Sequence, residues 1–232
     1  MNEPVFLITG ASTGIGAATA RRALASGYRL VLVARDLARL TELSNSLGES
    51  ERVMPLACDV QDWNGQAQMV EEALARFGRL DVVFGNAGQF DTGCFLGDGT
   101  NQDAWRSMVL TNVFGVAATI RLTLPSLVDS TGHLVLTGSV VGAKATIPAG
   151  LYPATKAAVA AIAATVRAEL RSTGVRVTVV EPGMVDTPLW PWRPEAPLLD
   201  PDDVARAVLW AVQQPATVDV NEILLRPVGQ AV

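Results

Sequence analysis

Seven short apolar, β-branched runs recur along the chain with helix-patterned stretches between them: Val5–Thr9, Arg29–Ala34, Arg52–Cys58, Val82–Gly85, His133–Thr137, Arg176–Glu181 and Glu222–Arg226. Strands that alternate with helices pair in parallel, because each helix carries the chain back to the starting edge of the sheet. The stretches between them hold the helical period, as in Val70, Ala73, Leu74 and Phe77, or Val204, Val208 and Val212. Helix-end signals agree. Pro201-Asp202-Asp203 opens the last helix with acids in its first turn, and Arg167 and Arg171 sit late in the helix that begins near Tyr152. The fold expected is α/β, a doubly wound parallel sheet of about seven strands with helices on both faces. A length of 232 residues with no linker suits one domain, residues 1–232.

Composition narrows the partners. The chain is 49% hydrophobic, yet charges interrupt its apolar segments, so none is expected to supply the roughly 20 residues that span a bilayer. Met1-Asn2-Glu3-Pro4 is acidic and leads straight into the first strand, which reads as no secretory signal and a cytoplasmic location. A net charge of −5 argues against nucleic acid and anionic membrane as partners, while leaving room for a local basic pocket. Cys58 and Cys94 form no CxxC and the chain has one histidine, His133, so neither a disulfide framework nor a metal site is expected.

The first strand runs into Thr9-Gly10-Ala11-Ser12-Thr13-Gly14-Ile15-Gly16, which then opens the first helix. Glycines in that position let the backbone approach a pyrophosphate, and the helix N-terminus offers N–H groups and positive potential. Far along the chain, Tyr152-Pro153-Ala154-Thr155-Lys156 places a phenol and an ammonium four residues apart on one helix face, with Pro153 in the first turn. Only Lys144 and Lys156 among the 18 basic residues are lysines, which suggests a site that needs a compact ammonium. Roughly 5 Å between the charges at an effective dielectric of about 20 gives about 3 kcal/mol, on the order of two pKa units. Tyr152 is therefore expected to titrate well below a free tyrosine, in a range suited to general acid–base catalysis.

Together these motifs resemble the short-chain dehydrogenase/reductase family over nearly the whole length. The matches arrive in family order: Gly10-x-x-x-Gly14-x-Gly16, Cys58-Asp59-Val60, Asn86-Ala87-Gly88, Asn112, Ser139, Tyr152-x-x-x-Lys156, and Pro182-Gly183 followed by Thr187. The resemblance implies a Rossmann-type fold and a nicotinamide dinucleotide on Gly10, Ser12, Thr13, Gly14, Ile15 and Gly16. It further implies that Asp59 and Val60 meet the adenine, that Asn86, Ala87 and Gly88 line the cofactor groove, and that Pro182, Gly183, Val185 and Thr187 reach the nicotinamide. Phe84-Gly85 precedes Asn86 where relatives often carry a second Asn.

Cofactor choice turns on charge at the end of the second strand. That strand ends Val33-Ala34-Arg35, with Ala34 where NAD-preferring relatives tend to carry an acid, and Arg39 one helical turn beyond Arg35. Arg35 favours a 2′-phosphate, so NADP(H) is expected, with NAD(H) the alternative because Asp36 is placed to neutralise Arg35 or bind a ribose.

The chemistry implied is hydride transfer between nicotinamide and a carbonyl/alcohol carbon. Tyr152 exchanges the proton, Ser139 holds the carbonyl oxygen, and Lys156 tunes the phenol and holds the ribose. By resemblance Asn112, in a helix Trp105–Leu124, supports a water chain from Lys156; an Asn there is consistent with a local helix distortion. The segment at about 184–201 is expected to cover the substrate with Trp190 and Trp192, and Val141 joins the substrate pocket. Its few charges suggest an uncharged, partly hydrophobic alcohol or carbonyl. Trp63 and Trp105 read as packing residues. A homodimer or homotetramer packed through the helices of Asn112 and Tyr152 is expected. Two rivals remain: a same-fold epimerase or dehydratase that retains its cofactor, and a non-catalytic dinucleotide sensor.

Overall fold

A computed structural model describes residues 3–91, 93–96, 100–143, 149–190 and 196–230. Seven parallel strands form one sheet in the order β3-β2-β1-β4-β5-β6-β7. They are β1 (Val5–Thr9), β2 (Arg29–Ala34), β3 (Val53–Ala57), β4 (Val82–Gly85), β5 (His133–Thr137), β6 (Arg176–Pro182) and β7 (Glu222–Leu225). The seven expected runs are all strands, shifted by a residue at the ends of β3, β6 and β7. β3 tolerates Pro55 because it is an edge strand, where a missing N–H need not break a ladder on both sides.

β1 shows how alternation becomes two layers. Val5 and Leu7 point to one face and join Val70, Ala73 and Phe77 of α3 (Trp63–Phe77) and Val159, Ala163 and Val166 of α7 (Tyr152–Glu169). Phe6 and Ile8 point to the other, against Ala17, Ala20 and Ala23 of α1 (Gly14–Ala25) and Val204, Val208 and Val212 of α8 (Pro201–Val212). Alanines on α1 let α8 approach closely, and an Arg22–Asp202 ion pair ties the two helices at the surface. Asp36, Asp62, Asn101 and Asp200 cap α2 (Leu37–Leu47), α3, α4 (Gln102–Val109) and α8, each side chain accepting from a first-turn N–H.

The helix expected over Trp105–Leu124 is longer and distorted. It runs from α4 through a π-helical turn, Leu110–Gly115, into α5 (Val116–Ser130). These 29 residues are long and apolar enough to cross a membrane, contrary to the expectation that charges would interrupt every such stretch. Half of its apolar window is buried inside the protein, with Val116, Ile120 and Leu127 in the core.

His133 opens β5 and is buried with its Nε2 2.7 Å from Thr178 Oγ1. The Thr178 hydroxyl donates to the Val220 carbonyl, so Nε2–H donates to Thr178 and Nδ1 is left without a partner. Burial, with Arg176 nearby, pushes the imidazole down to about 3. Below the ordinary value of about 6.5 the unfolded chain takes up a proton that the folded chain refuses, so stability is lost as pH falls from about 6.5 towards 3. The slope is about 1.4 kcal/mol per pH unit, or about 2 kcal/mol by pH 5. His133→Gln is expected to lack this component: urea unfolding at pH 7 and pH 5 would show a variant about 2 kcal/mol less acid-sensitive. Identical pH dependence in the two proteins would contradict the assignment.

Candidate active site

A cavity of about 970 Å³ opens at the carboxyl ends of the strands, where the order reverses between β1 and β4. Parallel α/β sheets bind ligands at such a switch point. One wall is the glycine loop. Gly10 has φ 65°, and a Cβ on it would fall 2.9 Å from the Ala87 Cα. A Cβ on Gly16 would meet the Gly10 carbonyl oxygen at 2.2 Å. The loop is therefore built for close backbone approach, a cradle that side chains would fill, and this fits a dinucleotide pyrophosphate. Gly10, Ser12, Thr13, Gly14 and Ile15 line the cavity. Gly16 does not; it is buried behind them, letting α1 pack onto the loop.

Asn86 ties three strand ends together. Its Nδ2 donates to the Thr9 and Gly10 carbonyls at 3.1 and 3.2 Å, and its Oδ1 accepts from Thr137 Oγ1 at 3.2 Å. Asn86, Ala87 and Gly88 all line the cavity, as do Asp59, Val60, Pro182, Gly183, Val185 and Thr187. Arg35 stands at the rim. Asp36 is engaged elsewhere: it caps α2 through the Arg39 N–H at 3.1 Å and pairs with the Arg39 guanidinium at 3.3 Å.

Ser139, Tyr152 and Lys156 converge on the cavity wall, at 8%, 7% and 5% exposure. Ser139 follows β5 and precedes the short α6 (Val140–Ala143), its Oγ accepting weakly from the Val141 N–H at 3.4 Å. Tyr152 and Lys156 lie on the first turns of α7, and Lys156 Nζ donates to the Thr137 carbonyl at 2.8 Å. Burial pushes the Tyr152 phenol up to about 12, a hydrogen bond with Ser139 pulling partly back, and burial pushes Lys156 down to about 8. This reverses the expectation of a depressed phenol. The ammonium lies 5.8 Å from the centroid of the Tyr152 ring and is held by a carbonyl, so its effect is outweighed by removing the phenol from water.

Asn112 is fully buried within the π-helical turn and does not line the cavity. Its Oδ1 accepts from the Gln89 N–H at 2.7 Å, and its Nδ2 donates to the Gln89 carbonyl at 2.9 Å and Thr155 Oγ1 at 3.0 Å. Thr155 in turn donates to the Tyr152 carbonyl at 2.8 Å. Asn112 thus clamps the strand-end segment after Gly88 to the helix that carries Tyr152 and Lys156. The π turn is the distortion that its presence inside a helix had suggested.

The remaining wall is aromatic. Trp190 Nε1 donates to the Val185 carbonyl at 3.0 Å, which satisfies the indole and fixes its ring. Phe90 lies between, 4.8 Å from the Trp190 ring and 5.0 Å from the Tyr152 ring. Val141 lines the cavity as expected; Trp192 lies outside the described residues. Sequence reading missed Gln89, Phe90 and Asp91, whose one signal was their place directly after Asn86-Ala87-Gly88. It also missed Gln230 at the far end of the chain, which closes the cavity and accepts the Met184 N–H at 3.0 Å. Trp105, expected to pack, does pack, but beside Tyr152, Met108 and Val141 at this wall.

Fold and site together define a dinucleotide-binding α/β protein with an enclosed Ser–Tyr–Lys cluster. Residues 4–196 match the model of the short chain dehydrogenase family, and the chain belongs to that family, the short-chain dehydrogenases/reductases. It is 38% identical to an uncharacterized oxidoreductase of Staphylococcus saprophyticus, over 98% of this chain and 99% of that one. Among solved structures it resembles an alcohol dehydrogenase from the archaeon Thermococcus sibiricus complexed with 5-hydroxy-NADP, with a TM-score of 0.91 and 34% identity over 99% of this chain and 98% of that one. A serine dehydrogenase complexed with NADP+ has a TM-score of 0.92 and 29% identity over 98% and 96%.

Proposed function

We propose that the protein is an NADP(H)-dependent oxidoreductase that interconverts a small-molecule alcohol and its carbonyl. The observation that carries this reading is the convergence of Ser139, Tyr152 and Lys156 on one buried wall of the cavity that the glycine loop also lines. The nicotinamide, when bound, supplies or accepts the hydride. Tyr152, protonated at neutral pH, gives its proton to the carbonyl oxygen in reduction and recovers it in oxidation. Ser139 donates to the same oxygen and stabilises charge developing there. Lys156, fixed by Thr137, holds the ribose and adds positive charge beneath the phenol.

The NADP(H) preference rests on Arg35. Ala34 and Arg35 line the cavity where β2 ends, and Asp36 is occupied by Arg39 and by the α2 cap, so it is poorly placed to neutralise Arg35. The NADP ligands of the alcohol and serine dehydrogenases agree with this preference. Val109, Phe114 and Val128 leave apolar surface on the long helix, which supports a homo-oligomer packed through it. A panel of aldehydes, ketones and alcohols with NADPH, NADH and their oxidised forms tests the reading. Steady NADPH consumption with a carbonyl is expected. Tight cofactor binding without turnover across the panel would contradict it.

A further inference from the structure

The wall beside Tyr152 carries an acid that the proposed chemistry does not use. Asp91 lines the cavity, one residue beyond the Phe90 ring that packs on Tyr152. Its Oδ2 is shut away from solvent without a hydrogen-bond partner, and so is Trp105 Nε1. The two atoms flank the same small space: a Cβ on Gly93 would lie 2.5 Å from Trp105 Nε1 and 3.2 Å from Asp91 Oδ2. Trp105 is held in place by Phe95, edge-on at 4.9 Å, and by the Met108–Val141–Tyr152 cluster. The indole N–H and the Asp91 carboxylate thus border one small space, and Asp91 also lines the cavity. The remaining charged groups of the wall are committed or remote. Arg35, Asp36, Arg39 and Asp59 stand at the ends of β2 and β3, and Lys156 is bound to Thr137. Among the described residues, Asp91 is the acid on the substrate side.

We propose that Asp91 is a specificity-determining residue that accepts a hydrogen bond from a hydroxyl or ammonium group next to the reacting carbonyl, with Trp105 as the positioning residue behind it. This rests on the carbonyl/alcohol reading above and narrows it. The substrate places an apolar part on Phe90 and Trp190 and a donor group on Asp91, and a substrate carboxylate on that side is repelled. A site built to hydrogen-bond a donor rejects the analogue that lacks it, because its own polar group is then left unpaired.

The test compares α-hydroxyacetophenone with propiophenone, in which a methyl replaces the hydroxyl, as NADPH-dependent substrates. The readout is the ratio of the two kcat/KM values, in which intrinsic reactivity cancels between proteins. Asp91→Ala is expected to lower the preference for the hydroxyketone about tenfold or more, with Asp91→Asn between it and the parent. Trp105→Phe, which keeps the ring and removes the N–H, lowers the same ratio by a smaller factor, and thermal unfolding verifies that each variant is folded. Turnover of both ketones with an unchanged ratio in Asp91→Ala and Trp105→Phe overturns the assignment of Asp91 alone. Turnover of no carbonyl by the parent protein overturns the oxidoreductase reading on which it stands.

Discussion

Tyr152→Phe is expected to lower turnover by about a hundredfold to ten-thousandfold while leaving NADPH affinity within a few fold. The substitution keeps the ring that packs on Phe90 and removes only the hydroxyl that meets Ser139, so the fold and the cofactor groove stand. Steady-state kinetics beside a fluorescence titration of NADPH separates the two quantities; retained activity removes Tyr152 from the mechanism. The pH profile follows from burial. With the phenol pushed up to about 12, Tyr152 remains protonated through the neutral range and reduction does not wait on it. Lys156, pushed down to about 8, loses its charge as pH rises through that value. Reduction is accordingly expected to be level from about pH 6 to 7 and to decline as pH rises through about 8, whereas alcohol oxidation, which needs a deprotonated Tyr152, gains with rising pH. A reduction rate that climbs above pH 8 would contradict this division of roles.

Arg35→Ala is the second large effect. A guanidinium on a 2′-phosphate makes charge-assisted hydrogen bonds of about 1.5–3 kcal/mol, so NADPH binding should weaken about tenfold to a hundredfold. NADH, which has a hydroxyl in that place, should change by less than about threefold. Arg39→Ala should cost NADPH less, because the Arg39 guanidinium is paired with Asp36 and 60% exposed. Isothermal titration with both cofactors checks this, and equal losses for NADPH and NADH would rule out the phosphate assignment.

The sheet was legible because its signal is local. Val5-Phe6-Leu7-Ile8 is apolar without alternation because both faces of β1 are covered, and the run marks the strand wherever its neighbours lie. The glycine loop, Ser139 and the Tyr152–Lys156 spacing were legible for a related reason: each is a short motif tied to a strand end or a helix turn. Asn112 gave away the distortion of its helix but not its partners, since Gln89 and Thr155 meet it only through the fold. The direction of the phenol's shift is not legible in the sequence, because spacing along a helix fixes a distance to Lys156 but says nothing of burial, and burial dominates. Asp91 and Trp105 lie on a loop and a separate helix, and no periodicity links them. They come together beside Gly93 only in three dimensions.

In the proposed reaction hydride passes directly between the nicotinamide and a carbonyl carbon held on the wall formed by Ser139, Tyr152 and Lys156. NADPH deuterated on the transferred face at the nicotinamide C4 tests it most directly, with the alcohol product read by mass spectrometry. One deuterium on the carbinol carbon for each NADPH consumed is the predicted result. Turnover that leaves the deuterium on the cofactor, or conversion without net NADPH oxidation, would contradict the account.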